Sequence, residues 1–162
     1  MVALAPLDRS LNAAVWQMVR VHVGRFRVSP RAPDTFATLR AHWEATREVC
    51  VWNGASECTI FGDPYTNYAF RAWHDRAHLS GGFEFTLDGE RATAQLQIAQ
   101  LAAWYDAELD AAPWLACRAR EQRLARWQRM IEIEVIEQAE HYARFGEFPT
   151  DQRAFMQRRL GQ

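Results

Sequence analysis

Asn67-Tyr68-Ala69-Phe70-Arg71-Ala72-Trp73-His74-Asp75-Arg76-Ala77-His78-Leu79 is the stretch from which the rest of the chain is read. It reads as helix, and at a spacing of four residues His74 and His78 project from one face of it. Asn67, Phe70 and Arg71 share that face, so two imidazoles stand where a buried apolar stripe would otherwise continue. They are close enough to hold a single metal ion. The helix is predicted from about Thr66 to Leu79, and Ser80-Gly81-Gly82 ends it with residues that tolerate a left-handed cap.

Toward the carboxyl terminus, Phe83-Glu84-Phe85-Thr86 is too short to demand a strand, and Asp88-Gly89 opens another helix reaching about Glu108. Its inward stripe is Ala94, Ile98, Leu101 and Tyr105, and Glu90 lies one turn before Ala94 on the same side. Ala111-Ala112-Pro113 breaks the chain before a long helix running from Trp114 or Arg118 to Phe145. There Leu124, Trp127, Ile131, Val135, Ala139 and Tyr142 define the core side. Glu134 and Gln138 fall in the same sector and need hydrogen-bond partners. His141, seven residues after Glu134, returns to nearly the same face. Gly146 and Pro149 end this helix, and Thr150 caps a short last one carrying Phe155 and Met156.

Toward the amino terminus, Val51-Trp52 and Thr59-Ile60-Phe61 flank Asn53-Gly54 and read as a short hairpin or an ordered aromatic loop. Arg25 to Pro33 is a connector. Asp34 or Thr35 caps a helix through about Glu48 with Phe36, Leu39 and Trp43 inward and His42 beside them. The first helix, over about residues 8 to 23, turns Leu11, Val15, Met18, Val19 and His22 inward, with Asp8 or Ser10 as cap and Gly24 as stop. The expected architecture is mainly α, a single domain over residues 1–162: a bundle of four or five helices with an irregular aromatic segment packed across it.

Composition agrees, since 49% of residues are hydrophobic and seven Trp and nine Phe argue against disorder. All 19 basic residues are arginine and the net charge is -1, which does not announce a nucleic-acid binder. Arg118, Arg120, Arg123, Arg126 and Arg129 form a ridge that reads first as a solvated face, with a nucleic-acid partner left open. Cys50, Cys58 and Cys117 form no CxxC pair and read as reduced and mostly buried. No signal peptide or membrane span is expected, and the predicted location is cytoplasmic.

The chemistry rests on His74 and His78 joined by Glu90 and Glu134, two nitrogen and two oxygen ligands from three helices. Such a set suits a divalent metal, whether zinc, iron or manganese. Asp75, Gln138 and His141 are expected around it, or as ligands to a second ion. His74-Asp75-Arg76-Ala77-His78 is also similar to the zinc-protease pattern H-E-x-x-H, with an aspartate whose carboxylate is drawn back relative to that family's glutamate base. A Gly-x-Ser-x-Gly elbow and a glycine-rich phosphate loop are both absent from the sequence.

Asn67-x-x-Phe70-Arg71-Ala72-Trp73-His74-Asp75-x-x-His78, with Gly89-Glu90, Gln95, Glu134, Gln138, Tyr142, Phe148, Gln152 and Phe155, resembles a group of uncharacterised proteins of tailed bacteriophages over about residues 50 to 160. The resemblance implies a phage or prophage origin and the cytoplasm of an infected host, and it carries no activity. The ligand layout also resembles ferritin-like metal-carboxylate proteins, without their paired Glu-x-x-His motifs. The function expected is a phage-type metal-binding protein: a metal-dependent hydrolase or oxygen-using enzyme acting on a small molecule or nucleotide. The alternative is a non-catalytic phage accessory protein that binds a host or virion partner, with the histidines structural.

Overall fold

A computed structural model describes residues 4–110 and 117–161, with side chains over 4–108 and 118–161. The fold is mainly α. Helix α1 (Arg9–Met18) continues into a π-helical turn (Val19–Val23), followed by strand β1 (Phe26–Ser29), helix α2 (Phe36–Thr46) and strand β2 (Val49–Trp52). Helices α3 (Pro64–Gly81) and α4 (Leu87–Asp110) come next. Helix α5 (Cys117–Glu132), a second π-helical turn (Ile133–Glu137) and α6 (Gln138–Phe145) form one continuous rod, and α7 (Gln152–Leu160) closes the chain.

Helix α3 is the centre of the bundle, packed by α1 and its π turn, by α4 and by β2. Its burial explains its composition: Ala69, Ala72 and Ala77 let neighbouring backbones approach, while Trp73 is wholly buried among them. The polar edge of that indole is satisfied, because Nε1 donates to Gln100 Oε1 at 2.7 Å. The predicted stripes of α1 and α4 face the core, with Leu11, Val15, Met18, Ala94 and Leu101 all buried.

Several expectations are corrected. The connector at Arg25 to Pro33 contains β1, which pairs in parallel with β2 from Phe26 opposite Val49 to Ser29 opposite Trp52. The pairing partner of Val51 and Trp52 is therefore β1, and α2 makes the crossover that parallel strands require. Thr59, Ile60 and Phe61 are buried outside any strand, and the Ile60 carbonyl accepts the Leu7 N–H at 2.9 Å. The rod after α5 also departs from a single α-helical phase. A π turn bonds i to i+5 and inserts one residue, so everything beyond it is rotated about the axis. Trp127, Ile131 and Val135 keep their inward positions, whereas Tyr142, beyond the π turn, is exposed. Asp151, in place of Thr150, caps α7, accepting the Ala154 N–H at 2.8 Å.

Cys50 is buried but Cys58 is exposed, while the burial of Cys117 and the break at Ala111-Ala112-Pro113 lie outside the described residues. In the arginine ridge Arg118 and Arg123 are exposed, whereas Arg126 pairs with Asp8 at 3.3 Å and Arg129 with Glu137 at 2.6 Å. Part of the ridge thus fastens the rod to its neighbours. Among the described residues no helix is long and apolar enough to cross a membrane.

Candidate metal centre

Local sequence brings the end of α3 against the start of α4. Asp63 caps α3 by accepting the Thr66 N–H at 2.8 Å, and Pro64 occupies the first turn, where no N–H is needed. At the other end Gly82, at φ +66°, takes the left-handed conformation and returns its N–H to the His78 carbonyl. The chain then doubles back. Thr86 opens α4: its hydroxyl accepts the Gly89 N–H at 3.1 Å and its carbonyl accepts the Glu90 N–H at 2.8 Å. A Cβ at Gly89 would collide with the Glu84 carbonyl, so glycine is what allows the loop to press against this first turn. Glu90 is thereby held beside His74 and His78.

Three ligand atoms converge there. His74 Nε2 lies 3.2 Å from Glu90 Oε2, His78 Nε2 lies 3.5 Å from the same oxygen, and the two nitrogens are 3.0 Å apart. A tetrahedral ion with bonds of about 2.0–2.1 Å sets its ligands roughly 3.3 Å from one another, so these spacings accommodate one ion. The group can hold a metal.

The outer ring nitrogens determine which electrons point inward. His78 Nδ1 lies 2.9 Å from the Phe83 carbonyl, which can only accept, so Nδ1 carries the proton. The Thr93 hydroxyl lies 3.1 Å from the same nitrogen. His74 Nδ1 donates to Gln97 Oε1 at 3.1 Å. Both Nε2 lone pairs are then left facing each other and a carboxylate, an arrangement that needs a positive charge at its centre. In the metal-free protein a proton meets that need. Burial disfavours a charged His74, but the hydrogen bond and charge of Glu90 outweigh it and raise the imidazole to about 9. Burial likewise opposes ionisation of Glu90, yet His74 and then His78 bring it down to about 2. Burial lowers His78, which stays neutral and accepts.

The surroundings are dry on one side and open on the other. Phe70 stacks on His74 with ring centroids 6.5 Å apart, and Phe85 meets His78 edge-on at 4.8 Å. The His78 side chain is 0% exposed, while those of His74 and Glu90 keep 18% and 20%. His74 and Glu90 lie on the wall of a cavity of about 330 Å³ that Asp75, Glu134 and Gln138 also line.

Glu134 belongs to this cavity but stands outside the three-residue group. It is carried by the π turn, and its Oε2 is buried without a hydrogen-bond partner. Gln138 is buried as expected and its side chain stands against Glu134, drawing that carboxyl down, although Gln138 Nε2 and Glu134 Oε2 make no hydrogen bond of good geometry. Burial raises Glu134 to about 7 against the opposing pull of Arg71 and His74, and burial raises Asp75 to about 7 as well. His141 does not line the cavity. The phase shift at the π turn leaves it packed on Phe145 and Phe155, with centroids 4.6 and 5.6 Å away.

Sequence reasoning missed Gln97 and Thr93. With Glu90 they fall at i, i+3 and i+7 on α4, a polar stripe readable beside Ala94 and Leu101. The Phe83 carbonyl, a backbone group, had no side-chain signal. No family model matches the chain, and neither a curated protein nor a solved structure matches it.

Proposed function

We propose that the protein is a metal-dependent hydrolase, binding one divalent ion through His74 Nε2, His78 Nε2 and Glu90 and activating water toward a small molecule in the adjoining cavity. The observation that carries this reading is the convergence of two oriented imidazole lone pairs and a carboxylate at a point with one side open. Three protein ligands with an open position are the catalytic arrangement of zinc, whereas structural sites are closed by four. The open side favours catalysis over a purely structural ion.

Asp75 and Glu134 supply the complementary chemistry. Both carboxylates are held near neutral pH by burial, the range in which a side chain can take a proton from metal-bound water and return it to a leaving group. Glu134, outside the three-residue group, thus serves as a proton carrier on the cavity lining. Zinc fits the near-tetrahedral spacing, and iron and manganese accept the same donors. Two histidines and one carboxylate are also the set used by iron oxygenases, so an oxygen-using enzyme is the second reading. The phage resemblance supplies a setting, the cytoplasm of an infected bacterium, and leaves the reaction to the site.

Elemental analysis of protein purified without added metal, followed by hydrolysis and oxygen-consumption assays on zinc- and iron-loaded samples, tests the reading. One ion per chain and hydrolysis that is lost in His74→Ala are expected. Substoichiometric metal, or turnover only with iron and dioxygen, would overturn the hydrolase.

A further inference from the structure

The cavity beside the metal centre is lined by two buried polar atoms that make no hydrogen bond of good geometry. Gln138 is 4% exposed and its Nε2 makes no well-formed hydrogen bond, and neither does the buried Oε2 of the half-buried Glu134; the Gln138 side chain lowers the Glu134 carboxyl from nearby but leaves both atoms short of good geometry. A buried donor and a buried acceptor left unsatisfied each cost about 1–3 kcal/mol, so such pairs are retained where something else completes them. The two residues are one turn apart, Glu134 within the π turn and Gln138 directly after it, and both line the cavity. Isolated π turns of this kind cluster at functional sites. The wall offers one acceptor and one donor side by side.

The rest of the cavity narrows the ligand. Trp52, Phe70 and Phe148 give it aromatic walls, and its volume of about 330 Å³ is at the small end of ligand sites. Arg71 is the one arginine on the described lining, and its guanidinium already donates to the Trp52, Gly54 and Ala55 carbonyls at 2.9, 2.7 and 3.1 Å. It is therefore committed to holding the loop. Asp75, Glu90 and Glu134 share the lining, so an anionic group meets repulsion as these acids ionise and finds no uncommitted cation apart from the metal.

We infer that this site takes an uncharged planar group with an amide or amidine edge, of the nucleobase kind, presenting an N–H to Glu134 and an acceptor to Gln138. The inference deepens the hydrolase reading and rests on its metal site. The ligand would lie between the aromatic walls with its other end toward the ion, as a nucleoside or free base lacking phosphate. An aromatic carboxamide has the same edge and is the other source of this chemistry.

The test uses the full-length protein loaded with zinc, with metal content measured for every sample. Binding of adenosine, cytidine, guanosine and uridine, of their 5′-monophosphates, and of benzamide is followed by calorimetry. A nucleoside that binds more tightly than its monophosphate, and loses on the order of tenfold or more in affinity in both Glu134→Gln and Gln138→Met at unchanged zinc content, is the expected result. Benzamide binding without nucleoside binding would retain the edge chemistry and overturn the nucleobase assignment. Tighter binding of the monophosphates, or no binding of any of these probes by zinc-loaded protein, overturns the inference while leaving the metal site intact. Failure of the wild-type protein to bind zinc, iron or manganese stoichiometrically is instead the failure of the hydrolase reading. Gln138→Met keeps side-chain length and removes only polar atoms, so it remains informative if Glu134→Gln fails to fold.

Discussion

At the scale of single residues, the ion proposed for this site would compete with a proton for one position. His74 holds its proton up to about pH 9 because Glu90 faces it, and an ion entering between them must displace that proton. Below pH 9 metal affinity is therefore expected to rise with pH by about tenfold per unit, one proton being released per ion bound. Competition titrations with a chelator of known affinity at several pH values check this, and a flat profile would mean that His74 is not a ligand. Gln97 acts through His74 by holding Nδ1–H at 3.1 Å, so Gln97→Leu should weaken metal binding by roughly 10–100-fold without changing stoichiometry. His74→Ala and His78→Ala should abolish stoichiometric metal, whereas His42→Ala on α2 should not.

At the scale of elements, placement of Glu90 beside the two histidines depends on how tightly the turn after α3 closes. Gly89 is the narrowest point, where any side chain meets the Glu84 carbonyl. Gly89→Ala must open that contact and move the first turn of α4, carrying Glu90 with it, at an expected cost of about 1–3 kcal/mol. Denaturant titration of metal-free protein measures the stability loss, and a parallel fall in metal affinity links it to the site. Gly146→Ala is the control: it has φ +77° but no atom within 4 Å of the added Cβ, so its strain should lower stability and leave metal affinity unchanged. The π turn at Ile133–Glu137 is the other element that matters, because it turns Glu134 and Gln138 to the cavity while sending Tyr142 to solvent.

Across the whole molecule, the buried carboxylates make stability a function of both pH and metal. Asp75 and Glu134 keep their protons to about pH 7 in the folded state but ionise near 3.8 and 4.5 when unfolded, so the folded chain binds more protons between those limits and loses stability as pH rises. His74, raised from 6.5 to about 9, contributes stability that is full below 6.5 and lost as pH climbs through 9. Glu90, lowered from 4.5 to about 2, works the other way and loses its contribution as pH falls toward 2. His78 and His22, lowered by burial, gain stability as pH rises toward 6.5 and offset the carboxylates there, so metal-free protein should melt at progressively lower temperature from about pH 6.5 to 9. Bound zinc should raise the melting temperature, and by more at pH 8 than at pH 6. Thermal melts with and without chelator decide it, and a gap that narrows with rising pH would sink this account.

The sequence alone determined the helical class and the central pair of histidines, because both follow from periodicity along one segment: His74 and His78 point the same way on any regular helix. It also placed Glu90 on an inward face. Whether Glu90 reaches the imidazoles was decided by the turn through Gly82 and Gly89, whose geometry comes from close backbone contact and not from side-chain pattern. The pairing of β1 with β2 was invisible for a related reason, since parallel strands joined through a helix leave no local turn signal. Glu134 and His141 looked equivalent under a uniform helical period, and the inserted residue of the π turn separated them, sending one to the cavity and the other against Phe155. Periodicity is a property of one element read by itself, whereas a phase shift or a loop closure is settled by what the neighbouring elements must bury, and only the tertiary structure contains that demand.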